Sequence, residues 1–250
     1  MARFSDVDWD NSENKFRVSF SGGKDSATML IMLLEKKYPV HSVDFLDSEY
    51  EYPEVYDYIQ RVEDYINERW GIKINRLYLP ERLKFTSWFY GHWSRGEHTD
   101  EIRGYPRITF GCYLQRHKAK VLDNYDKTSY RYVGINYSEK KRYKEDKRLL
   151  YPLIEWEITE EKLLEYLKER NLLTTYNRYF NRSGCFWCVY QPKSSLRSLY
   201  FLYPEKWEQM KVWEKDSPGG FKPNKTLKDY EEEFEQEVID GKTDLDFYKK

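Results

Sequence analysis

The sequence predicts an α/β fold in which a doubly wound, mainly parallel sheet is followed by a charged, helical C-terminal appendage. Short apolar runs typical of strands alternate with helical segments, and a loop rich in glycine and serine joins the first strand to the first helix. A turn-rich break precedes the last, charged segment. Strands that alternate with helices favour a parallel sheet covered on both faces.

The individual elements follow from length and residue type. Strands are predicted over Phe16–Phe20, Ser42–Leu46, Ile72–Leu79 and Arg131–Ile135. Helices are predicted over Ala27–Lys37, Pro53–Arg69, Glu81–His92, His117–Asn124, a segment capped by Thr159 that runs to about Arg170, and Leu227–Val238. Sheets of this kind bind ligands at the carboxyl ends of their strands, which is where the loop after the first strand lies.

That loop, Ser21-Gly22-Gly23-Lys24-Asp25-Ser26, is predicted to bind phosphate. Because it follows a strand and opens a helix, its backbone N–H groups and the positive end of the helix dipole face an anion. The glycines let the backbone approach closely, Lys24 adds a positive charge, and the serines add hydroxyl donors. Asp25 is interpreted either as a metal-ion ligand or as a helix cap. An ordinary βα turn is the alternative for the whole loop.

Composition limits the class of protein. A chain of 250 residues can bury a sizeable core, and we predict one domain over residues 1–215 and a charged tail over 216–250. No apolar stretch approaches the roughly 20 residues that span a bilayer, and the polar N-terminal region lacks a signal-peptide pattern. These features favour a cytoplasmic protein without a membrane partner. The net charge of −1 gives no global attraction for nucleic acid.

Charge is nevertheless unevenly distributed. Residues 115–148 contain eleven Lys or Arg against five acidic residues, and the segment after residue 226 is acidic. The basic stretch is interpreted as a surface for nucleotide phosphates or a polynucleotide backbone, with solvated helix faces as the alternative. Within it, Lys118 and Arg142 are candidates for stabilising charge that develops at phosphorus or sulfur. Asp47 ends the second strand and is expected to face the same crevice as the loop.

The chain has three cysteines, Cys112, Cys185 and Cys188, and the last two form a C-x-x-C pair. Four interpretations remain open from the residues alone. The pair is a redox motif, or all three bind zinc with His92, His98 or His117, or they hold a [4Fe–4S] cluster through three thiolates, or they are unliganded buried thiols. A structural disulfide is disfavoured in the cytoplasm.

The Ser21–Ser26 loop resembles the PP-loop, SGGxDS, of the adenine nucleotide alpha-hydrolase superfamily. It is not a Walker A loop, because only one glycine pair precedes the lysine and no glycine stands five residues earlier. The resemblance implies that the loop holds the terminal pyrophosphate of ATP or another adenine nucleotide, while the reaction occurs at the α-phosphorus. Mg²⁺ would then bridge the phosphate oxygens.

Five further segments, in the family's order, resemble the phosphoadenylyl-sulfate (PAPS) reductase family and most of all its iron–sulfur branch. They are Asp47–Glu54, Gly111–Lys118, Gly134–Arg142, Leu150–Trp156 and Gly184–Cys188. The resemblance implies an adenine nucleotide alpha-hydrolase-like fold. It implies that Cys112, Cys185 and Cys188 ligate a cluster, that Gly134 and Lys118 join the loop in binding nucleotide, and that Lys24, Asp47 and Arg142 act in catalysis.

Two departures from the family's pattern narrow the expected activity. Gly111 precedes Cys112 where cluster-bearing reductases have two adjacent cysteines, and no cysteine after Cys188 is present to attack a sulfonate sulfur. The residues therefore favour a PP-loop ATP pyrophosphatase or sulfurtransferase with a three-Cys [4Fe–4S] cluster, a type that includes enzymes of transfer-RNA thiolation and DNA phosphorothioation.

Two other functions are kept as alternatives. One is a (phospho)adenylyl-sulfate reductase that uses a partner thiol in trans, and the other is a non-catalytic nucleotide-binding subunit of a complex. A nucleic acid or a thiol protein is the expected sulfur acceptor. Zinc stays the alternative metal, and a homodimer is one arrangement that the sequence leaves open.

Overall fold

The computed structural model describes residues 4–107 and 112–248. Among these, the chain forms two compact units. The first takes the residues up to Tyr78 and those from Ala119 to Tyr176, and the second takes those from Leu79 to Lys118 and from Asn177 onward. Gly111, which the sequence analysis placed in the motif around Cys112, lies outside the described residues.

The first unit is built on a parallel sheet that has five strands in the part of the chain that the structure describes. The strands are β1 (Phe16–Phe20), β2 (Ser42–Asp47), β3 (Ile74–Tyr78), β4 (Tyr130–Val133) and β5 (Leu149–Leu150). Their order is β3-β2-β1-β4-β5, and all four neighbouring pairs are parallel. The predicted doubly wound α/β fold is therefore confirmed.

The helices of the first unit cover this sheet. They are α1 (Lys24–Glu35), α2 (Pro53–Trp70), α5 (Pro152–Glu155) and α6 (Glu160–Glu169), while α4 (Tyr113–Tyr125) begins in the second unit and ends in the first. A 3-10 helix spans Tyr137–Arg142. The apolar run that predicted α1 is buried, and Leu30 in this helix is as inaccessible to solvent as Val18 and Val43 in the strands.

The second unit is helical and rich in aromatic residues. Its helices are α3 (Phe85–Phe89), α7 (Lys193–Leu202), α8 (Pro204–Asp216) and α9 (Leu227–Ile239). Phe85 stacks on Trp187 with ring centroids 3.8 Å apart, and Trp213 meets the same ring edge-on at 4.8 Å. Such ring contacts bury large apolar areas, so they form the core of this unit.

The helix predicted over Glu81–His92 is only partly confirmed, because the segment is broken into two short helices that end before His92. A 3-10 helix over Glu81–Leu83 stops at Lys84, whose extended backbone (φ −63°, ψ 152°) separates it from α3. Helix α3 ends at Phe89, and His92 instead pairs with Ile102 in an isolated β-bridge.

The helix predicted in the C-terminal tail is confirmed as α9, whose first turn is closed by a capping box between Thr226 and Asp229. The domain boundary at residue 216 stays a prediction. None of the helices in the described residues is both long enough and apolar enough to cross a membrane.

Candidate active site

The Ser21–Ser26 loop lies where the winding of the sheet reverses. Strand β1 pairs with β2 on one side and with β4 on the other, so the carboxyl ends of β1 and β4 flank the crevice in which sheets of this type bind ligands. Helix α1 begins at Lys24, directly after the loop's two glycines. Its first N–H groups therefore point out of the carboxyl edge of the sheet.

The loop is closed on itself by Ser26, whose side chain is buried. The Ser26 hydroxyl accepts a hydrogen bond from the Ser21 backbone N–H (3.1 Å) and donates to the Gly23 carbonyl (3.0 Å). Gly23 caps α1 without a side-chain hydrogen bond. The turn is therefore preformed, and no side chain of this cap stands between the helix end and a ligand.

Two positions need glycine, Gly22 for its positive φ and Gly134 for a close backbone contact. Gly22 has φ +72°, and a Cβ there would lie 2.9 Å from Cδ1 of Ile59. Gly134 follows β4, and a Cβ there would lie 2.7 Å from Cα of Ser26. Gly134 therefore lets the end of β4 touch the first turn of α1, which links it to the loop through packing.

Lys24 does not extend freely into solvent. Its Nζ lies 2.9 Å from Oδ1 of Asp25 and 3.1 Å from Oε1 of Glu160, which opens α6. Burial alone would lower the pKa of Lys24, but the hydrogen bonds and charges of the two carboxylates raise it. The ammonium group thus stays charged, and its charge is balanced within the protein.

Asn136 completes this network from the loop after β4. Its buried Nδ2 donates to Oδ2 of Asp25 (2.8 Å) and to Oε2 of Glu160 (3.1 Å). Its Oδ1 accepts from the backbone N–H of Glu139 and so caps the 3-10 helix. Sequence reasoning missed the roles of Asn136 and Glu160. Only the position of Asn136 two residues after Gly134 could have suggested its role.

Within the described residues, Asp47 and Arg142 form hydrogen bonds and ion pairs with their own neighbours in sequence rather than with the Ser21–Ser26 loop. Asp47 is the buried last residue of β2, and its Oδ1 accepts from the Glu49 N–H and from the Tyr56 hydroxyl, both at 2.7 Å. These bonds shape the turn after β2. Arg142 is exposed and pairs with Glu139 at 2.6 Å. Catalytic roles for both stay predictions.

The cysteines and Lys118 belong to the second unit. Cys185 is buried, while Cys112 and Cys188 are half-buried. The Cys188 N–H donates to the Cys185 carbonyl (3.1 Å), so the C-x-x-C pair forms one tight turn. Burial raises the pKa of the Cys188 thiol, and its electrostatic interaction with Cys112 adds to the rise.

Three residues that the sequence analysis did not select surround the C-x-x-C turn. Gln191 is buried, and its Nε2 donates to the carbonyl oxygens of Cys185 (3.2 Å) and Phe186. Lys222 donates to the Gln191 carbonyl at 2.6 Å, and burial lowers its pKa. Arg182 brings Nη2 to 3.8 Å from Sγ of Cys188. The Gln191 amide thus holds the turn, while Arg182 lies near the Cys188 sulfur and Lys222 contacts Gln191.

The donor set bears on which metal the second unit could hold. Within residues 4–107 and 112–248, no three or more His, Cys, Asp or Glu side chains are arranged to bind a metal ion. His98, one of the zinc candidates, contacts Glu101 (3.1 Å) and Arg107 (3.2 Å). The three thiols of this unit are soft donors of the kind that iron–sulfur clusters take, so they fit such a cluster in chemical type, although they are one fewer than its usual four thiolates.

Sequence comparison supports the predicted family. The family model described as the phosphoadenosine phosphosulfate reductase domain matches residues 15–103. The resemblance to that family is therefore confirmed, over a segment that contains the Ser21–Ser26 loop and β1 to β3. An uncharacterized protein of Methanocaldococcus jannaschii is 27% identical over 211 residues, which cover 79% of this chain. The match spans only 40% of that relative's length.

Three solved structures are similar at low identity. A U34-tRNA thiolase, NcsA, from Methanococcus maripaludis with its [4Fe-4S] cluster is 19% identical, with a TM-score of 0.44 over 92% of this chain and 74% of that one. An NH3-dependent NAD synthetase from Campylobacter jejuni is 14% identical (TM-score 0.46, 94% and 90% covered), and an NMN synthetase from Francisella tularensis is 15% identical (0.44, 64% and 63%). Similarity at this level does not indicate which reaction this chain catalyses.

Proposed function

We propose that this chain is an enzyme of sulfur metabolism that binds an adenine nucleotide at the Ser21–Ser26 loop and transfers sulfur with the help of its three cysteines. The observation that carries the proposal is the preformed loop at the N-terminus of α1, at the point where the sheet reverses. The match of residues 15–103, which include the loop, to the phosphoadenosine phosphosulfate reductase domain supports a role in sulfur chemistry.

The first unit would bind the nucleotide. The N–H groups of the loop and of the first turn of α1 would hold the phosphate oxygens, and Lys24 would neutralise part of their charge. Asp25 offers a carboxylate to a phosphate-bound Mg²⁺. Gly134 and Asn136 keep the end of β4 packed against α1, so the loop keeps its shape when the ligand binds.

The second unit would handle sulfur. Cys112, Cys185 and Cys188 would hold a [4Fe–4S] cluster, which, when bound, supplies an iron without a protein thiolate at which a sulfur atom can be carried. Gln191 fixes the turn that presents Cys185 and Cys188. The positive charges of Arg182 and Lys222 would stabilise the negative charge of thiolates or sulfide in a partly buried site.

A polyanionic sulfur acceptor, such as a nucleic acid, fits the exposed segment 140–148. It carries six Lys or Arg against two acidic residues. Five of those cations are exposed: Lys140, Lys141, Lys144, Lys147 and Arg148. Lys and Arg that neutralise phosphates make binding depend steeply on salt, so acceptor binding should weaken strongly as salt rises.

Anaerobic purification followed by iron and sulfide analysis tests the cysteine part of the proposal. We expect about four irons and four sulfides per chain for a [4Fe–4S] cluster, and loss of both in Cys185→Ser and Cys188→Ser. A protein without iron or sulfide would contradict the cluster. Release of pyrophosphate from ATP in the presence of an acceptor RNA tests the reaction.

A second function is favoured by the matched family itself. A sulfonucleotide reductase would release sulfite from an adenylyl sulfate, and this chain would need a thiol from a partner protein because none of its cysteines follows Cys188. Sulfite that forms only when a reduced thiol protein is added, without pyrophosphate release from ATP, would select this function.

A further inference from the structure

The positive charge of Lys24, in the Ser21–Ser26 loop, is already paired with carboxylates in the structure. Lys24 Nζ contacts Glu160 Oε1 at 3.1 Å, although Glu160 belongs to α6 and lies far from the loop in sequence. Within the described residues, Asp25 and Glu160 are the two carboxylates in ion-pair contact with Lys24. A phosphate that recruits Lys24 must therefore compete with them.

A phosphate could displace one of these two carboxylates from Lys24 more easily than the other. Asp25 is adjacent to Lys24 on α1, is only 13% exposed and moves with it. The Glu160 side chain is 43% exposed and reaches Lys24 from another element, so a rotation of its side chain into water breaks the contact without moving either helix. Asn136 Nδ2, which bonds both carboxylates, holds Glu160 in the paired position.

We propose that Glu160 is an anionic placeholder that pairs with Lys24 until the phosphate chain of the nucleotide displaces it. This inference rests on the proposed nucleotide site. The ion pair keeps Lys24 ordered and its charge balanced in the ligand-free protein. A ligand that binds through Lys24 must first break this ion pair, and the free energy of breaking it weakens the binding of that ligand. A ligand that does not contact Lys24 is unaffected.

A shared metal site is the competing role for the same two carboxylates. Asp25 and Glu160 both lie within 3.1 Å of Asn136 Nδ2, so they are close neighbours. If Glu160 ligated Mg²⁺ in the complex, its loss would weaken binding of Mg–ATP and leave metal-free pyrophosphate unaffected. The placeholder role predicts instead that loss of Glu160 tightens the binding of metal-free pyrophosphate.

The test is calorimetric titration of wild type and Glu160→Gln with inorganic pyrophosphate without metal, with Mg–ATP, and with adenosine. We expect Glu160→Gln to bind pyrophosphate and Mg–ATP about two- to fivefold more tightly, the range for loss of a partly exposed ion pair. Adenosine, which has no phosphate, should bind both proteins equally. Thermal unfolding of both proteins checks that the variant folds.

Glu161→Gln is the matched control, because Glu161 is also in the first turn of α6 and is exposed. It removes the same charge near the same helix end without touching Lys24, so its affinities should equal those of wild type. In a Lys24→Ala background, Glu160→Gln should no longer tighten pyrophosphate binding.

Unchanged or weaker pyrophosphate binding by Glu160→Gln, or equal tightening by Glu161→Gln, would overturn the placeholder. Weakening confined to Mg–ATP would overturn it in favour of a metal ligand. If wild type binds neither pyrophosphate nor Mg–ATP, while Glu160→Gln also fails to bind them, the proposed nucleotide site fails, which is a distinguishable result.

Discussion

Single residues outside the Ser21–Ser26 loop and the C-x-x-C pair keep each of these two motifs in its shape. In the first unit, Asn136 donates to Asp25 and Glu160 and thereby organises the groups around Lys24. In the second unit, Gln191 donates to the carbonyls of Cys185 and Phe186. Both amides are buried. Buried polar groups of this kind cost free energy when their partners are removed, so both positions should be sensitive to substitution.

Gln191→Ala tests this at the C-x-x-C turn. The substitution removes the donor of two buried carbonyl oxygens, and we expect the free energy of unfolding to fall by about 1–3 kcal/mol. Iron content after anaerobic purification should fall too, because the turn that presents Cys185 and Cys188 loosens. Chemical denaturation and iron analysis measure the two effects.

Gln236→Ala is the control for that experiment. Gln236 is exposed and its Nε2 donates only to Asp240 (2.7 Å), so its loss should change the free energy of unfolding by no more than about 0.5 kcal/mol. Equal stability of the two variants would show that Gln191 does not hold the turn.

Between elements, the candidate nucleotide site depends on how closely the end of β4 approaches α1. Gly134 makes this approach, since a Cβ there would meet Ser26 backbone atoms at 2.7 and 2.8 Å. Backbone atoms of a helix that packs on the sheet cannot move aside as a flexible side chain can. The spacing of the two elements is therefore set by the absence of a side chain.

Gly134→Ala should separate β4 from α1. We expect the free energy of unfolding to fall by about 1–3 kcal/mol, the usual cost of overpacking, and pyrophosphate affinity to fall with it. Gly219→Ala is the control, because Gly219 is exposed and nothing lies within 4 Å of its added Cβ. Wild-type stability and affinity in Gly134→Ala would refute this account of the glycine.

Helix α9 is attached to α7 by ion pairs that depend on pH. Hydrogen bonds from Lys193 and Lys225 lower the pKa of Glu233 below its ordinary 4.5. Burial alone would raise the pKa of Glu237, but Lys193 and Arg197 lower it. A carboxylate whose pKa is lower in the folded state stabilises the protein above the unfolded pKa, and this contribution is lost as pH falls below 4.5 through the folded value.

We therefore expect α9 to loosen in acid. Because these pairs are partly exposed and screened, the loss should be only about 1 kcal/mol. Amide hydrogen exchange in α9, compared above and below pH 4.5, measures it. Acid should increase the exchange in α9 less in Glu233→Gln than in Glu232→Gln. Glu232 is the control because its ion pair with Lys228 is long, at 3.7 Å, so its loss removes little. Equal acid effects in both variants would contradict this assignment.

For the whole molecule, sequence patterns within short segments predicted the architecture. The same patterns did not predict the contacts between segments that are distant in sequence. The apolar run of β1, the Ser21–Ser26 loop and the apolar run of α1 predicted the first βα unit, because each signal is local. The Lys24–Glu160 pair joins residues of α1 and α6, so no local pattern reveals it.

The helical second unit was the least predictable part of the fold. Lys84 breaks a segment that reads as one helix, and α7 and α8 went unrecognised. Their positions depend on aromatic packing between residues far apart, such as Phe85 on Trp187. The cysteines were identified as a group from the sequence, but the supporting Gln191 and Lys222 emerge only in three dimensions.

The most direct test of the central claim is the affinity of the whole chain for inorganic pyrophosphate in wild type and Lys24→Ala. Loss of a charged partner for phosphate should weaken binding about 10- to 100-fold. Lys36→Ala, at the opposite end of α1, removes the same charge and should leave the affinity unchanged. Equal pyrophosphate affinities for wild type and Lys24→Ala would contradict a phosphate site at this loop.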